Sequence, residues 1–142
     1  CLSVTLASHD GREVAVAHAG WRGLAAGVIE RTVDRFSMAG DELMAWLGPA
    51  IGPAHFEVGE DVREAFMREH PADASAFRTA AAPGKYHADL FALARARLRR
   101  QGITRVYGGE RDTYGQADLF FSYRRDRGET GRMATLVWRE QD

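Results

Sequence analysis

The chain has 142 residues, 19 Lys and Arg against 20 Asp and Glu, and a hydrophobic fraction of 45% that includes three Trp, four Tyr and seven Phe. That size and apolar content suit one domain, residues 1–142, with a buried core, and a formal charge of -1 sets up no field to recruit nucleic acid or an anionic membrane surface, so a small molecule is the expected partner. No run approaches the roughly 18 apolar residues of a membrane span, no signal segment opens the chain, and one cysteine allows no intrachain disulfide, which makes the cytoplasm the expected compartment.

The chain opens at Cys1, directly in an apolar alternating run, from which a further N-terminal part is expected. Leu2 to Leu6 and Val14 to Ala17 read as strands joined across Asp10-Gly11, the strongest short-range signal of a hairpin. With those two residues at the turn centre, Ser3 faces His18 and Cys1 faces Gly20. Cys1, Ser3, Thr5, Val16, His18 and Gly20 then share one face, and Cys1 and His18 are diagonal neighbours about 7 to 8 Å apart at the backbone. A slip of one residue would split them between faces.

After Gly20-Trp21-Arg22-Gly23, the four-residue recurrence of Leu24, Val28, Thr32 and Phe36 predicts one amphipathic helix ending before Gly40. Leu43 to Leu47 reads as a strand, and Gly48-Pro49 opens an irregular loop running to Gly59. A helix is expected from about Glu60 to Glu69. Pro83-Gly84-Lys85 is a break before a helix from about Ala88 to Arg100, with Leu90, Leu93, Ala94 and Leu98 inward and Gly102 as its stop. Ile103 to Tyr107 and Met133 to Trp138 read as strands, while Phe120 to Asp126 alternates too irregularly for assignment. The interleaving, with one antiparallel hairpin, predicts an α/β or α+β class: a mixed sheet covered by helices.

Two constellations carry chemistry. Cys1 and His18 offer a thiolate and an imidazole, which suits a zinc pair, a cysteine nucleophile with its base, or simply a buried small hydrophobe beside a strand histidine. The Gly20-Trp21-Arg22-Gly23 turn suits a phosphate site, with Gly20 and Gly23 admitting a ligand to backbone N–H groups at a helix start and Arg22 gripping an oxyanion, or else a tight turn with an exposed arginine. Among the other histidines, His9 is expected to be solvated and His70 to help cap the helix before it. His55 and His87 are expected to be structural. Tyr123, Arg124, Arg125 and Asp126 could meet an anionic or aromatic substrate, or form a solvated face.

Cys1-Leu2, the block His18-Ala19-Gly20-Trp21-Arg22-Gly23-Leu24, Leu47-Gly48-Pro49-Ala50-Ile51-Gly52, Phe56-Glu57-Val58-Gly59, Asp89-Leu90, Phe121-Ser122-Tyr123-Arg124-Arg125-Asp126 and Thr130-Gly131-Arg132 resemble, in order, the signatures of the YfiH/laccase-domain family. The resemblance spans essentially the whole chain. It implies a three-layer mixed-sheet fold similar to that of a bacterial toxin deamidase, and a zinc enzyme that phosphorolyses adenosine, inosine and methylthioadenosine and deaminates adenosine. It also implies that Cys1 and His18 ligate the zinc together with a histidine from an earlier segment. Many relatives carry Cys-Thr where this chain has Asp112-Thr113, and Cys-Leu-Pro where it has Cys1-Leu2-Ser3.

Phosphorolysis needs an anion cradle, a proton for the leaving purine and a dry pocket, with inorganic phosphate as co-substrate; Gly20, Arg22 and Gly23 are the candidates for the cradle. Copper-dependent phenol oxidation is the first alternative, ranked lower because a multinuclear copper site needs more histidines than the five present. A metal-free hydrolase acting on peptidoglycan precursors, with Cys1 as nucleophile and His18 as base, is the second. A non-catalytic binding module is the third.

Overall fold

A computed structural model describes residues 1–140 of the chain, so the last two residues of the expected 1–142 domain lie outside the described part. In chain order the elements are β1 (Leu2–Ser8), β2 (Val14–Ala19), α1 (Trp21–Ala25), α2 (Val28–Val33), β3 (Leu43–Leu47), β4 (Glu57–Gly59), α3 (Glu60–Met67), β5 (Phe77–Thr79), β6 (Lys85–Ala88), α4 (Leu90–Arg100) and β7 (Arg105–Gly108). They form a four-stranded sheet in the order β2-β1-β3-β7 and a three-stranded sheet in the order β4-β6-β5. The first is mixed, since β1 runs antiparallel to β2 and β3 while β3 and β7 are parallel. The α/β class is as expected, with two sheets rather than one.

The hairpin has the expected register: Leu2 pairs with Ala19 and Ser3 with His18. Its turn is tied down by Asp10, whose Oδ1 accepts from the Ser8 hydroxyl at 2.7 Å and the Arg12 N–H at 3.0 Å. Period-two alternation then sorts β1, with Leu2, Val4 and Leu6 buried on one face and Ser3, Thr5 and Ala7 half-exposed on the other. On the buried face Ala19, Leu43, Ala45 and Leu47 continue the core, packed with Leu24, Ile29, Leu90, Leu93 and Leu98 of the helices. Each fully buried leucine or isoleucine contributes about 1.5–3 kcal/mol of transfer free energy. The helix α4 is also pinned to β7 by Arg95, which donates to the carbonyls of Val106 and Gly108.

The single helix expected between Leu24 and Phe36 is two short ones. Gly27 takes a left-handed conformation at φ 82°, its N–H closing α1 on the Leu24 carbonyl and its own carbonyl accepting from Arg31 at the start of α2. The break advances the inward stripe by one position, so that Leu24, Ile29 and Val33 are buried while Val28 and Thr32 are not. Further on, α4 follows expectation: Asp89 caps it by accepting from the Ala92 N–H at 2.9 Å, Leu90, Leu93, Ala94 and Leu98 are buried, and Gly102 at φ 81° ends it.

The three-stranded sheet was not expected from the sequence. Pro83-Gly84 lies in the turn that brings β6 back along β5, not in a plain break ahead of the helix. The segment Met133 to Trp138, expected as a strand, joins no ladder among the described residues. It has no regular secondary structure and is mostly exposed, tied to the hairpin by a 2.9 Å hydrogen bond between the Thr135 and Ser3 hydroxyls and by Arg139 donating to the Arg12 carbonyl.

Candidate functional site

At one rim of the four-stranded sheet the start of β1 meets the ends of β2, β3 and β7. In open α/β sheets the ground beyond the carboxyl ends of strands is where ligands bind. Cys1 stands at the entry to β1 and His18 one residue before the end of β2, both exposed. Gly20 lies between them. A Cβ built there would sit 3.1 Å from Cys1 Sγ and 3.5 Å from His18 Nε2, so the thiol and the imidazole converge on the space the glycine leaves empty.

The strand-to-helix turn brings Gly20, Arg22 and Gly23 to the same rim, with differing roles. Gly20 is the N-cap of α1 and offers no side-chain cap. Arg22 is exposed and stacks its guanidinium on the Trp21 ring at 4.6 Å from the centroid, which leaves its N–H groups free to turn outward. Gly23 packs toward the strand: a Cβ on it would meet the His18 carbonyl oxygen at 3.3 Å, so there the missing side chain permits close helix–strand contact. With five residues, α1 contributes only a small dipole, so any grip on an anion at this turn would have to come from Arg22 and the N–H groups of the first turn.

As a donor set, a thiolate and an imidazole suit zinc, which takes sulfur and nitrogen ligands and in catalytic sites usually has three from protein. Among the described residues no group of three or more Cys, His, Asp and Glu side chains gathers to hold a metal ion. Cys1 and His18 are thus two donors of the zinc-binding type, without a third beside them among the described residues.

The structure adds a second cluster on the same rim. The loop after β3 carries His55, whose Nδ1 lies 2.6 Å from Oδ2 of Asp112. The other Asp112 oxygen accepts from the N–H groups of Gly52 and Tyr114, both at 2.9 Å, and the His55 ring stacks on Tyr114 with centroids 4.4 Å apart. Burial pushes the Asp112 carboxyl up, but the Gly52 and Tyr114 N–H groups, the His55 ring and the Gly115 N–H together hold it below its ordinary value. Fifty-seven residues separate the two partners, and Ala50, bridged in parallel to Asp112, brings them together. The one sequence signal was Asp112 itself, standing where many members of the resembled family carry cysteine.

Of the Tyr123 to Asp126 run, Arg125 turns inward. It donates to the carbonyls of Thr113, Tyr114 and Phe120 and pairs with Asp126, clamping the loop that holds Asp112. Arg124 stays exposed, donating to the Glu57 carbonyl over the Phe56 ring. His9 is exposed, as expected. His70 does not cap the helix as expected: α3 ends at Met67, and the His70 side chain makes no cap hydrogen bond to the 3-10 turn it precedes. His87 lies within β6, paired across to Glu57 and Arg78.

A family model described as multi-copper polyphenol oxidoreductase laccase matches residues 1–140. The chain belongs to this family. Within it, the chain is 53% identical over 138 residues to a purine nucleoside phosphorylase of Pseudomonas aeruginosa, covering 97% of this chain and 57% of the relative. It is 52% identical over 138 residues to purine nucleoside phosphorylase YfiH of Escherichia coli, covering 97% and 56%. A Neisseria meningitidis protein of known crystal structure superposes with a TM-score of 0.95 at 50% identity, over 99% of this chain and 57% of that one. The YlmD structure from Geobacillus stearothermophilus gives 0.85 at 34% identity, over 92% and 51%. The chain thus spans a little over half the length of these relatives. No helix among the described residues is long and apolar enough to cross a membrane.

Proposed function

We propose that this chain carries the zinc-centred part of a cytoplasmic purine nucleoside phosphorylase that takes adenosine, inosine and methylthioadenosine with inorganic phosphate, and deaminates adenosine at the same centre. The observation that carries the reading is the convergence of Cys1 Sγ and His18 Nε2 on the gap at Gly20. It is supported by the names of the relatives, which are purine nucleoside phosphorylases at 47–53% identity.

In this reading Cys1 and His18 hold the ion, and the third ligand is a histidine outside residues 1–142. Bound zinc supplies Lewis-acid chemistry and a water nucleophile near neutral pH. Arg22 and the first-turn N–H groups after Gly20 orient the phosphate, and Gly23 lets that turn sit close against His18. Copper is the less favoured metal, because a cysteine thiolate beside an imidazole suits zinc, whereas a multinuclear copper oxidase requires a histidine-rich set.

The test is phosphate-dependent release of hypoxanthine from inosine by the intact zinc-loaded protein, beside Cys1→Ala, with metal analysis of both. Product that disappears in the variant together with its zinc supports the reading. An intact protein that keeps its zinc and turns over none of the three nucleosides overturns it, and the cysteine hydrolase becomes the working hypothesis.

A further inference from the structure

Phosphorolysis of a purine nucleoside leaves an anionic base unless a proton reaches the ring as the glycosidic bond breaks, and neither Cys1 nor His18 is free to give one while holding a metal. The rim holds one more imidazole built for proton transfer. Asp112 fixes the His55 ring through Nδ1, Tyr114 fixes its plane by stacking, and the side chain is still 36% exposed. Nothing in the described structure engages Nε2 by hydrogen bond, so it is the ring nitrogen available to a ligand.

The two clusters are neighbours along the rim. Leu2 pairs with Ala19 and Val4 with Leu47, the Gly48 N–H bonds the Ser3 carbonyl, and Ala50, two residues further on, is bridged to Asp112, so the Asp112 loop leaves the sheet at the end where Cys1 enters β1. A nucleoside laid along this rim would have its sugar at the Cys1–His18 end and its base against His55 and Tyr114. Charged groups along this rim include Asp112, beneath His55, Arg124, over the adjoining Phe56 ring, and Arg22, stacked on Trp21.

We propose that His55 is the catalytic acid that protonates the departing purine, and that Asp112 is its positioning residue; this rests on the phosphorylase reading. A phosphate oxygen bonds to C1′ of the ribose as the C1′–N9 bond breaks, the electron pair of that bond passes into the purine ring, and the Nε2 proton of the His55 imidazolium moves to N7. The base leaves neutral, His55 is left as neutral imidazole, and solvent returns its proton. Asp112 keeps the Nδ1 proton in place throughout, so that Nε2 is the nitrogen that exchanges.

The experiment compares inosine with 7-methylinosine, whose ring already carries the positive charge that protonation would supply. It uses the intact zinc-loaded protein, His55→Gln and Asp112→Asn, with thermal melting and zinc content as controls. Expected for both variants is a fall in kcat for inosine of about 100-fold or more, KM within a few-fold of the parent, and 7-methylinosine phosphorolysis nearly unchanged. Equal losses on both substrates mean the pair only holds the loop and overturn the assignment, as does no loss on either. A parent protein that cleaves neither nucleoside with phosphate overturns the phosphorylase reading, and this inference with it. Should His55→Gln fail to fold, the same comparison on Asp112→Asn decides.

Discussion

Ser3 stands directly across the hairpin from His18, and that pairing places the Cys1 thiol and the His18 imidazole on the same side of the sheet around a residue that has no side chain. A methyl group added at Gly20 would stand 3.1 Å from the sulfur and 3.5 Å from the ring nitrogen, while the local backbone, at φ -64° and ψ 162°, accepts alanine without strain. Gly20→Ala is expected to lower zinc affinity about 10- to 100-fold with little change in melting temperature. Competition against a chromophoric chelator measures the first and a thermal melt the second; unchanged affinity would separate the metal from this pair.

Arg97 is almost fully buried beneath Phe66 and donates to Glu30 at 2.8 Å and to the Ala25 carbonyl. Removing one partner strands the other's charge where water reaches it poorly. Arg97→Ala is expected to cost about 3 kcal/mol, and the double change of Arg97 to Met with Glu30 to Leu distinctly less. Urea unfolding of the three proteins checks both values, and a larger loss in the double variant would contradict the argument.

Acid should act through Asp126. The Arg125 guanidinium, then the Thr130 hydroxyl and the Ser122 N–H, hold its carboxyl down at about 2 against an ordinary 3.8. Because the folded value is the lower one, the stabilisation is complete above about 3.8 and fades as pH falls from there toward 2. Denaturation midpoints collected between about pH 4 and pH 2 should therefore fall more steeply for the parent than for Asp126→Asn. Parallel curves would show that this carboxylate contributes nothing to acid stability.

Gly27 sits at φ 82°, where a Cβ is strained whatever room surrounds it. Gly27→Ala is expected to lose about 1 kcal/mol, since alanine favours the continuous helix the chain does not adopt here. Circular dichroism during chemical unfolding reads the loss; a gain in stability would mean that α1 and α2 can merge without disturbing Ile29 and Val33.

The parts of the fold legible in the sequence were those written by neighbours. Asp10-Gly11 pointed to the hairpin register, and with it the faces of Cys1 and His18, although the turn is wider than the two residues expected: the Gly11 N–H bonds the Ser8 carbonyl and the Ser8 N–H the Glu13 carbonyl, which keeps the same register and leaves Leu2, Val4 and Leu6 facing the core. The break at Gly27 escaped notice because Leu24 and Val28 keep a helical interval across it, and only the burial of Ile29 and Val33 reveals the advance of the stripe. β5 and β6 were missed for a different reason: Arg78, Thr79, Lys85 and His87 give short polar strands no apolar alternation to announce them. The Met133 to Trp138 run has the composition of a strand, but pairing requires a partner that propensity does not supply. His55 and Asp112 meet through a bridge between Ala50 and Asp112, a tertiary fact that no local spacing encodes.

The hairpin that frames Cys1 and His18 is held by β3 and by the leucines beneath it, independently of anything the two donors might grip. In a small zinc finger the ion is the organiser of the fold, and withdrawing it unravels the chain. Here the ion would be a guest in a finished frame. A chelator should empty the centre and leave the sheet standing, with apo and loaded protein differing in melting temperature only as mass action requires, and the emptied protein ready to accept the next ion without refolding.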